Sequence, residues 1–301
     1  MFTLAHITDW HATTLIGARP AALVGKRFFG WLSWNLRRAR IHRPEVIEAL
    51  FADLVTQGPD HVAITGDLTN VALESEFIEA AQWLHRLGPP DSVSLIPGNH
   101  DAYVRMPPHR SWDYWAPYMA GDDAPAGGPA PEFGDYPTVR VRDGVALVGL
   151  CSAVPTPLFQ ASGRLGSVQL GRVESVLKEL GDRDAYRVVL VHHPVVDRDT
   201  SRRRQLLDAA DLREVLARCG AELVLHGHRH RSIVEAVPGP AGPIPVVGAR
   251  SSSDVGRQEH KRAQYHLYRF DPENREGPIT RRVRGWEPSS QSFIAEGEDQ
   301  L

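Results

Sequence analysis

The chain has 301 residues, of which 42% are hydrophobic and 24% are charged. These fractions are typical of globular proteins and exclude a mainly disordered, collagen-like or coiled-coil chain. The net charge of −3 argues against a broadly basic surface, so we expect no nucleic-acid polymer as a partner. The two cysteines, Cys151 and Cys219, lie far apart in or beside apolar runs. We expect buried thiols there, not a disulfide or a CxxC metal site.

The sequence carries no signal for insertion into a membrane. No run approaches the roughly 18 consecutive apolar residues that a bilayer-spanning helix needs. The first residues, MFTLAHITDWH, lack the basic region and the long apolar region of a signal peptide. We therefore expect a cytoplasmic protein.

Short runs rich in apolar and β-branched residues, each bounded by turn-forming or polar residues, predict strands. In chain order they are Phe2–Thr8, His61–Thr65, Ser92–Pro97, Val145–Leu150, Arg187–Val191, Ala221–Leu225, Ile244–Gly248 and Tyr265–Phe270. Amphipathic segments between them predict the helices Pro44–Gln57, Leu73–Leu87, Ser167–Leu180 and Ala209–Cys219. Several strands are apolar at consecutive positions, as in strands covered on both faces. The order of elements predicts an α/β protein with central sheets and helices outside.

Three segments interrupt this alternation. Residues 16–43 form an insert before the first predicted helix. Residues 102–137 are rich in proline, glycine and aromatic residues, and we expect a long loop over a functional region there. Residues 272–301 are polar, which predicts a partly structured segment. We therefore expect one domain over residues 1–275 and a C-terminal tail over residues 276–301.

Polar clusters follow five of the predicted strands, at the strand ends where α/β sheets bind their ligands. These clusters are Asp9–His11, Gly66–Asn70, Gly98–Asp101, His192–Pro194 and Gly227–His230. Each cluster alone could be a turn or a buried histidine, but one shared metal site explains all of them together. Asp, Asn and His ligands without thiolate suit Mn, Fe or Zn. The sequence therefore predicts a binuclear metal site.

The ordered set D-x-H, G-D-x-x-N, G-N-H-D, H-H-P and G-H-x-H, between residues 9 and 230, resembles the calcineurin-like metallophosphoesterase superfamily. It is most similar to the class III cyclic nucleotide phosphodiesterase-like branch. The resemblance implies a four-layer α/β/β/α sandwich, with two mixed sheets flanked by helices. It also implies a centre of two divalent or transition metal ions, with Mn, Fe and Zn left open.

The resemblance implies a role for each motif residue. One metal would be held by Asp9, His11 and His230, the other by Asn99, His192 and His228, with Asp67 bridging the two. His100 matches a motif histidine that is not a ligand and that stabilises the developing charge or protonates the leaving group. Asp101 is expected to orient His100. The implied reaction is hydrolysis of a small phosphodiester by attack of a metal-bridging hydroxide.

The first insert suggests an alternative. Its segment 26–43 combines aromatic residues such as Trp31 and Trp34 with a dense basic run, which is typical of a helix lying on an anionic membrane. It is also typical of a cap helix packed on the core, with arginines in solvent or facing substrate phosphates. In the first case the protein would contact the inner membrane face. There it would act as a pyrophosphatase or phosphoesterase on a lipid-linked nucleotide or phospholipid.

Further alternatives concern the second insert and a second basic run. Arg202–Arg204 either steers anionic substrates or is a solvated loop. The aromatic residues of the second insert stack on a base, line an acyl groove or form the core of that insert; they are Tyr103, Trp112, Tyr114, Trp115 and Tyr118. A non-catalytic scaffold would have lost metal ligands, and a DNA exonuclease would carry an extended basic face. The complete ligand set and the acidic balance of the sequence disfavour these two alternatives.

Overall fold

The computed structural model describes residues 1–196, 201–256, 258–275 and 277–301. Its helices are α1 Lys26–Leu36, α2 Pro44–Gln57, α3 Glu74–Leu87, α4 Ala116–Met119, α5 Ser167–Asp182 and α6 Ala209–Cys219. The first strands are β1 Phe2–Ile7, β2 His61–Ile64, β3 Val93–Leu95, β4 Thr138–Arg142, β5 Val145–Gly149 and β6 Tyr186–Leu190. The remaining strands are β7 Leu223–His226, β8 Ile233–Gly239, β9 Gly242–Gly248, β10 Gln264–Phe270, β11 Thr280–Glu287 and β12 Ser292–Gln300.

The strands form two mixed six-stranded sheets. The first sheet has the order β12-β11-β10-β1-β2-β3, in which β1 runs parallel to β2 and antiparallel to β10. The second sheet has the order β4-β5-β6-β7-β9-β8, with β5, β6, β7 and β9 parallel. The ends of β1, β2 and β3 in one sheet therefore meet the ends of β6 and β7 in the other.

Three apolar clusters define four layers. One cluster joins the facing sides of the two sheets, with Leu4 and Tyr268 from the first sheet and Val188 and Leu225 from the second. A second cluster packs α2 and α3 on the outer side of the first sheet, and a third packs α5 and α6 on the outer side of the second. The predicted α/β/β/α sandwich is therefore confirmed. Among the described residues, no helix is both long enough and apolar enough to cross a bilayer.

Every predicted strand and helix is present, with ends that differ by at most two residues. The structure adds strands that the sequence pattern does not predict, namely β4, β8, β11 and β12. Their apolar residues are diluted by arginine, glutamate, proline or glycine, so no continuous apolar run marks them.

The prediction of a C-terminal tail over residues 276–301 is wrong. β11 and β12 pair with each other and extend the first sheet through β10. Their charged residues neutralise one another across the strand pair: Arg281 contacts Asp299 at 2.7 Å and Arg282 contacts Glu298 at 2.6 Å. The polar composition thus reflects cross-strand ion pairs, which a reading of the segment alone does not reveal.

The two inserts have different structures. The first contains α1, which packs Trp34 against Leu15 and Leu23. The second is largely anchored to the core: the Trp115 indole donates to the carbonyl of Phe77 at 3.0 Å, and the Tyr118 hydroxyl donates to that of Gly88 at 3.1 Å. These two buried rings therefore belong to the core of the insert.

Candidate metal centre

The backbone turns sharply at the strand ends that carry the polar clusters. Five of the seven predicted ligands have positive φ angles, namely Asp9 (50°), His11 (41°), Asp67 (58°), His228 (68°) and His230 (49°). Non-glycine residues adopt this left-handed region at a cost of about 1–3 kcal/mol each, and such residues concentrate at functional sites. Backbone bonds between the loops hold the turns in place, since the Asp9 amide donates to Gly66 at 2.9 Å and the His11 amide to Asp67 at 3.1 Å.

Asp67 lies at the centre of the cluster. Its Oδ2 atom is 3.7 Å from Nε2 of His11 and 3.5 Å from Nε2 of His192. Its other oxygen, Oδ1, accepts the backbone N–H of His100 at 2.7 Å. The Asp67 carboxylate therefore faces histidines from both predicted metal sites, which is the position of a bridging ligand.

The first half-site contains Asp9, His11 and His230. Asp9 Oδ2 accepts from the Thr8 hydroxyl at 2.7 Å and from the backbone N–H of His228 at 2.9 Å. Asp9 Oδ1 lies 3.2 Å from His230 Nε2. Suitable atoms of Asp9, His11 and His230 all lie within 4.8 Å of one another, which is close enough to share one ion.

The second half-site contains Asn99, His192 and His228. Asn99 Oδ1 lies 3.0 Å from His192 Nε2 and 2.8 Å from His228 Nδ1. The half-site also brings in His193, whose nitrogens contact the Ser152 hydroxyl and the Ala161 carbonyl. His193 is thus a satisfied buried residue, whereas the other three side chains converge.

The donor set fits metal ions. Asp9 Oδ1 and His11 Nε2 are buried and have no hydrogen-bond partner among the described residues. Buried polar atoms are normally paired, so two buried lone-pair atoms within 4.8 Å of each other are suited to hold a cation. Oxygen and imidazole ligands with no thiolate match Mn, Fe or Zn.

Backbone carbonyls fix the tautomers of three histidines. His11 Nδ1 lies 2.9 Å from the Thr69 carbonyl, His192 Nδ1 lies 2.7 Å from that of Thr65, and His228 Nε2 lies 2.9 Å from that of Arg204. A carbonyl only accepts, so each of these nitrogens carries the proton. The opposite nitrogen of every ring is left for a metal, as is usual for metal-binding histidines.

The pKa values of the histidines in the cluster are shifted in different directions. Burial lowers the pKa of His11 to about 4 and that of His228 to about 3, so both are neutral at pH 7. At His192 burial disfavours the charged form, but the Asp67 carboxylate outweighs it and raises the pKa to about 9. The carboxylate of Asp67 itself has its pKa held far below its usual range, because His192 outweighs the burial that opposes ionisation. A metal ion would compete with the His192 proton for the same site.

The structure corrects the predicted role of Asp101. Its carboxylate accepts the backbone N–H groups of Asp67, Leu68, Thr69 and Gly98 at 2.8–3.0 Å. The His100 ring is instead held by the Asn70 carbonyl, 2.5 Å from Nδ1. The prediction that Asp101 orients His100 is therefore wrong. Asp101 joins the loops after β2 and β3, and it positions Asp67 through the backbone.

Sequence reasoning missed Arg38 as a specific residue of the site. Its guanidinium nitrogens lie 3.0 Å from Nε2 and 3.2 Å from Nδ1 of His100. The Tyr103 ring stacks near the same imidazole, with ring centroids 5.5 Å apart. Because Nδ1 donates to Asn70, Arg38 donates to Nε2. The only signal in the sequence is the basic run at the end of the first insert, which did not single out one arginine.

Two further residues near the site carry no signal in the sequence. Glu76 on α3 is buried and accepts backbone N–H groups of Asn70, Val71 and Leu73 at 2.6–3.1 Å, which shapes the loop after β2. The His42 ring lies 4.9 Å from that of His11. Neither residue stands within a recognisable motif, so only the folded chain reveals them.

A cleft of about 780 Å³ opens onto the cluster. Five arginines line it, namely Arg38, Arg203, Arg204, Arg229 and Arg231. Among the described residues of the lining, only Asp67 is acidic. Arg203 and Arg204 belong to the second basic run, so two arginines of that run line the cleft. A cleft with this charge attracts anions such as phosphate esters.

Sequence comparison identifies the class of protein. The sequence profile of the calcineurin-like phosphoesterase family matches residues 2–232, which is well over half of the chain. The protein therefore belongs to the calcineurin-like phosphoesterase family. Membership of this family implies a centre of two metal ions.

Individual relatives are distant. A protein of Synechococcus named as a probable cyclic nucleotide phosphodiesterase is 25% identical over 190 residues, which is 62% of this chain and 64% of that protein. The chain thus spans less than two thirds of the length of this curated relative.

Solved structures share the fold. A dimetal phosphatase from Danio rerio has a TM-score of 0.62 at 12% identity, and the match covers 98% of both chains. A 5'-nucleotidase precursor from Thermus thermophilus has a TM-score of 0.52 at 15% identity, with 100% of this chain and 54% of that chain covered. At these identities the likeness extends to the fold alone.

Proposed function

We propose that the protein is a binuclear metal-dependent phosphodiesterase that hydrolyses small phosphodiesters. The observation that carries this proposal is the position of Asp67, whose Oδ2 lies within 4 Å of histidine nitrogens from both half-sites. The ligands would be Asp9, His11 and His230 on one side and Asn99, His192 and His228 on the other, with Asp67 between them.

Two metal ions held there would supply Lewis-acid activation of water and charge stabilisation for the phosphoryl group. The chain's own residues would bind and orient the ester. Arg38 lines the cleft and already donates to His100, so its guanidinium is well situated to bind a non-bridging phosphate oxygen. Once Arg38 turns to the phosphate, His100 Nε2 can take a proton from solvent while Nδ1 stays on the Asn70 carbonyl. The resulting imidazolium would contact the leaving oxygen and deliver the Nε2 proton to it.

The choice of a diester over other phosphate esters rests on the Synechococcus relative, whose name refers to a cyclic nucleotide phosphodiesterase. Cyclic nucleotides are small phosphodiesters with one negative charge. The cationic lining of the cleft would bind such an anion, and its volume of about 780 Å³ accommodates a nucleotide. We therefore include 3′,5′- and 2′,3′-cyclic nucleotides among the substrates to be tested first.

The test is hydrolysis of bis(p-nitrophenyl) phosphate by metal-stripped protein, with and without added Mn²⁺, Fe²⁺ or Zn²⁺. We expect hydrolysis that depends on the added metal. Hydrolysis of equal rate after chelation, or none with any of the three metals, would overturn the proposal. The monoester p-nitrophenyl phosphate, assayed in parallel, distinguishes a diesterase from a phosphatase.

Matched histidine variants connect the activity to the site. His192→Ala removes a buried histidine beside Asp67, whereas His109→Ala removes an exposed histidine outside the cluster. We expect the first variant to lose metal-dependent hydrolysis and the second to retain it. Equal activity in both variants would assign the hydrolysis to another part of the molecule or to a contaminant.

A further inference from the structure

Helix α1 is firmly attached to the protein through one face. Trp34 is buried against Val71 and Leu73, and the Arg27 guanidinium donates to the Val71 carbonyl at 3.1 Å. Gly30 lies so close to this surface that an added Cβ would stand 2.4 Å from Val71 Cγ1. The orientation of α1 is therefore fixed, and so is the face that it turns outward.

The outward face of α1 is apolar. Phe28, Leu32 and Leu36 follow one another at intervals of four residues and are 45%, 40% and 70% exposed. Side chains at this spacing form one stripe along a helix. A surface helix of a globular protein normally turns its polar residues to solvent, so this arrangement is the reverse of the usual one.

The insert that carries the stripe is basic. Residues 16–43 contain seven lysines and arginines and no aspartate or glutamate. Arg19, Arg37 and Arg40 are exposed beside or beyond the helix ends. Exposed apolar residues together with Lys and Arg, and with no acidic residue, are the composition of segments that bind the headgroup region of anionic bilayers.

The apolar surface continues to the mouth of the catalytic cleft. The Phe29 ring lies 5.9 Å from that of Phe159, and Phe159 is 73% exposed and lines the cleft. At the other end of α1, Arg38 reaches into the site and contacts His100. A surface that docked on α1 would therefore lie next to the cleft.

We propose that the outward face of α1, together with Phe159, is a docking surface for an anionic lipid bilayer. The apolar stripe would enter the headgroup boundary while the flanking arginines contact lipid phosphates. A second copy of this chain fits less well, because a twofold contact would bring the same cationic segment against itself. This inference concerns binding alone and does not depend on the proposed reaction.

The test is co-sedimentation of the full chain with two kinds of vesicle. One contains phosphatidylcholine alone, and the other contains phosphatidylcholine and phosphatidylglycerol. We expect binding to the anionic vesicles only. The double variant Phe28→Gln/Leu32→Gln should weaken that binding by about tenfold or more, because it removes buried apolar area at the interface. Arg37→Glu/Arg40→Glu should also weaken it by about tenfold or more, through charge.

Control variants separate docking from folding and catalysis. Val55→Gln/Ile78→Gln alters exposed apolar residues on α2 and α3, and we expect its vesicle binding to be unchanged. All of these variants should keep hydrolysis of the small diester within about twofold, since none of the changed side chains lines the cleft. If the chain proves inactive on phosphoesters, vesicle binding still stands as a separate result.

The proposal would be overturned by an absence of binding to anionic vesicles, or by binding that the Phe28→Gln/Leu32→Gln variant retains in full. A concentration-dependent dimer that this variant converts to a monomer, without vesicle binding by the original protein, would assign the surface to self-association instead.

Discussion

The metal centre and the helix above it differ in almost every physical respect. Most side chains of the centre are buried, and they are held by backbone carbonyls and by loops in left-handed conformations. Helix α1 belongs to an insert and exposes an apolar stripe beside a basic run. The strand ends of both sheets build the centre, whereas a single segment builds the helix and delivers Arg38 to the cleft.

The metal centre and the insert with α1 are suited to different tasks. The geometry of the predicted ligands is set by the core of the protein, as a preorganised site requires. An insert at the rim can change without disturbing that core, and it is therefore suited to select what the cleft receives. Substitutions in the two regions should have different effects, and the following predictions run from the largest effect to the smallest.

The largest effect is expected for Asp67→Asn. This change removes the charge between the two half-sites while preserving the size of the side chain, and we expect hydrolysis to fall to the level of the blank. Bound metal, measured by plasma emission spectrometry, should fall as well. Asp123→Asn, at an exposed position outside the cluster, is the control and should match the unmodified protein. Full activity in Asp67→Asn would refute the bridging role.

His100→Ala should lower kcat by about 10²–10⁴-fold, which is the usual contribution of a positioned acid or base. Because His100 is expected to face the substrate and not a metal, the variant should retain its bound metal. Steady-state kinetics and metal analysis of the same preparation check both statements. An unchanged kcat, or loss of the metal along with activity, would contradict the assigned role.

Arg38→Ala should lower kcat/KM for a small diester by about 10–100-fold, the range that a charged hydrogen bond contributes. Arg38→Lys should recover part of the loss, since it keeps the charge but not the forked geometry. The exposed Arg40→Ala is the matched control and should change the value little. If Arg38→Ala and Arg40→Ala behave alike, the insert has no part in the reaction.

The smallest effect is expected far from the centre, at His61. Burial lowers the pKa of this histidine to about 3, and its Nε2 lies 2.9 Å from the Ser94 hydroxyl. Between pH 6.5 and 3 the unfolded chain therefore binds a proton at His61 that the folded chain does not bind. The free energy of unfolding falls as the pH falls, by up to about 1.4 kcal/mol per pH unit from this group.

His61→Gln should reduce that slope, because glutamine keeps a polar contact with Ser94 without titrating. Urea denaturation at several pH values between 6.5 and 4 checks the difference. A slope identical to that of the unmodified protein would show that His61 does not contribute. Turnover near pH 7 should be unaffected in either case.

The sequence predicts the inner strands and the convergence of the polar clusters for one physical reason. Strands such as Val145–Gly149 are covered on both faces, so they are continuous apolar runs that can be recognised locally. The polar clusters follow such runs directly. The parallel strand ends then bring Asp9, Asp67 and His192 together, as the resemblance to the family implies.

Local sequence patterns do not predict a residue's role where its environment comes from distant parts of the chain. Arg281 and Arg282 of β11 are paired with acidic residues of β12, so their charge carries no local sign of a sheet. Arg38 lies 62 positions before His100 in the chain, and only the packing of α1 brings the two together. Asp101 follows His100 directly, yet its carboxylate turns to backbone amides and not to the imidazole.

The stoichiometry of metal binding tests the binuclear centre most directly. Metal-stripped protein would be titrated with Mn²⁺ in a calorimeter, and the bound metal would be counted after dialysis. We predict two equivalents per chain for the unmodified protein, and fewer than two for Asp67→Asn. A single equivalent or none in the unmodified protein, or two undiminished equivalents in Asp67→Asn, would contradict a centre that Asp67 bridges.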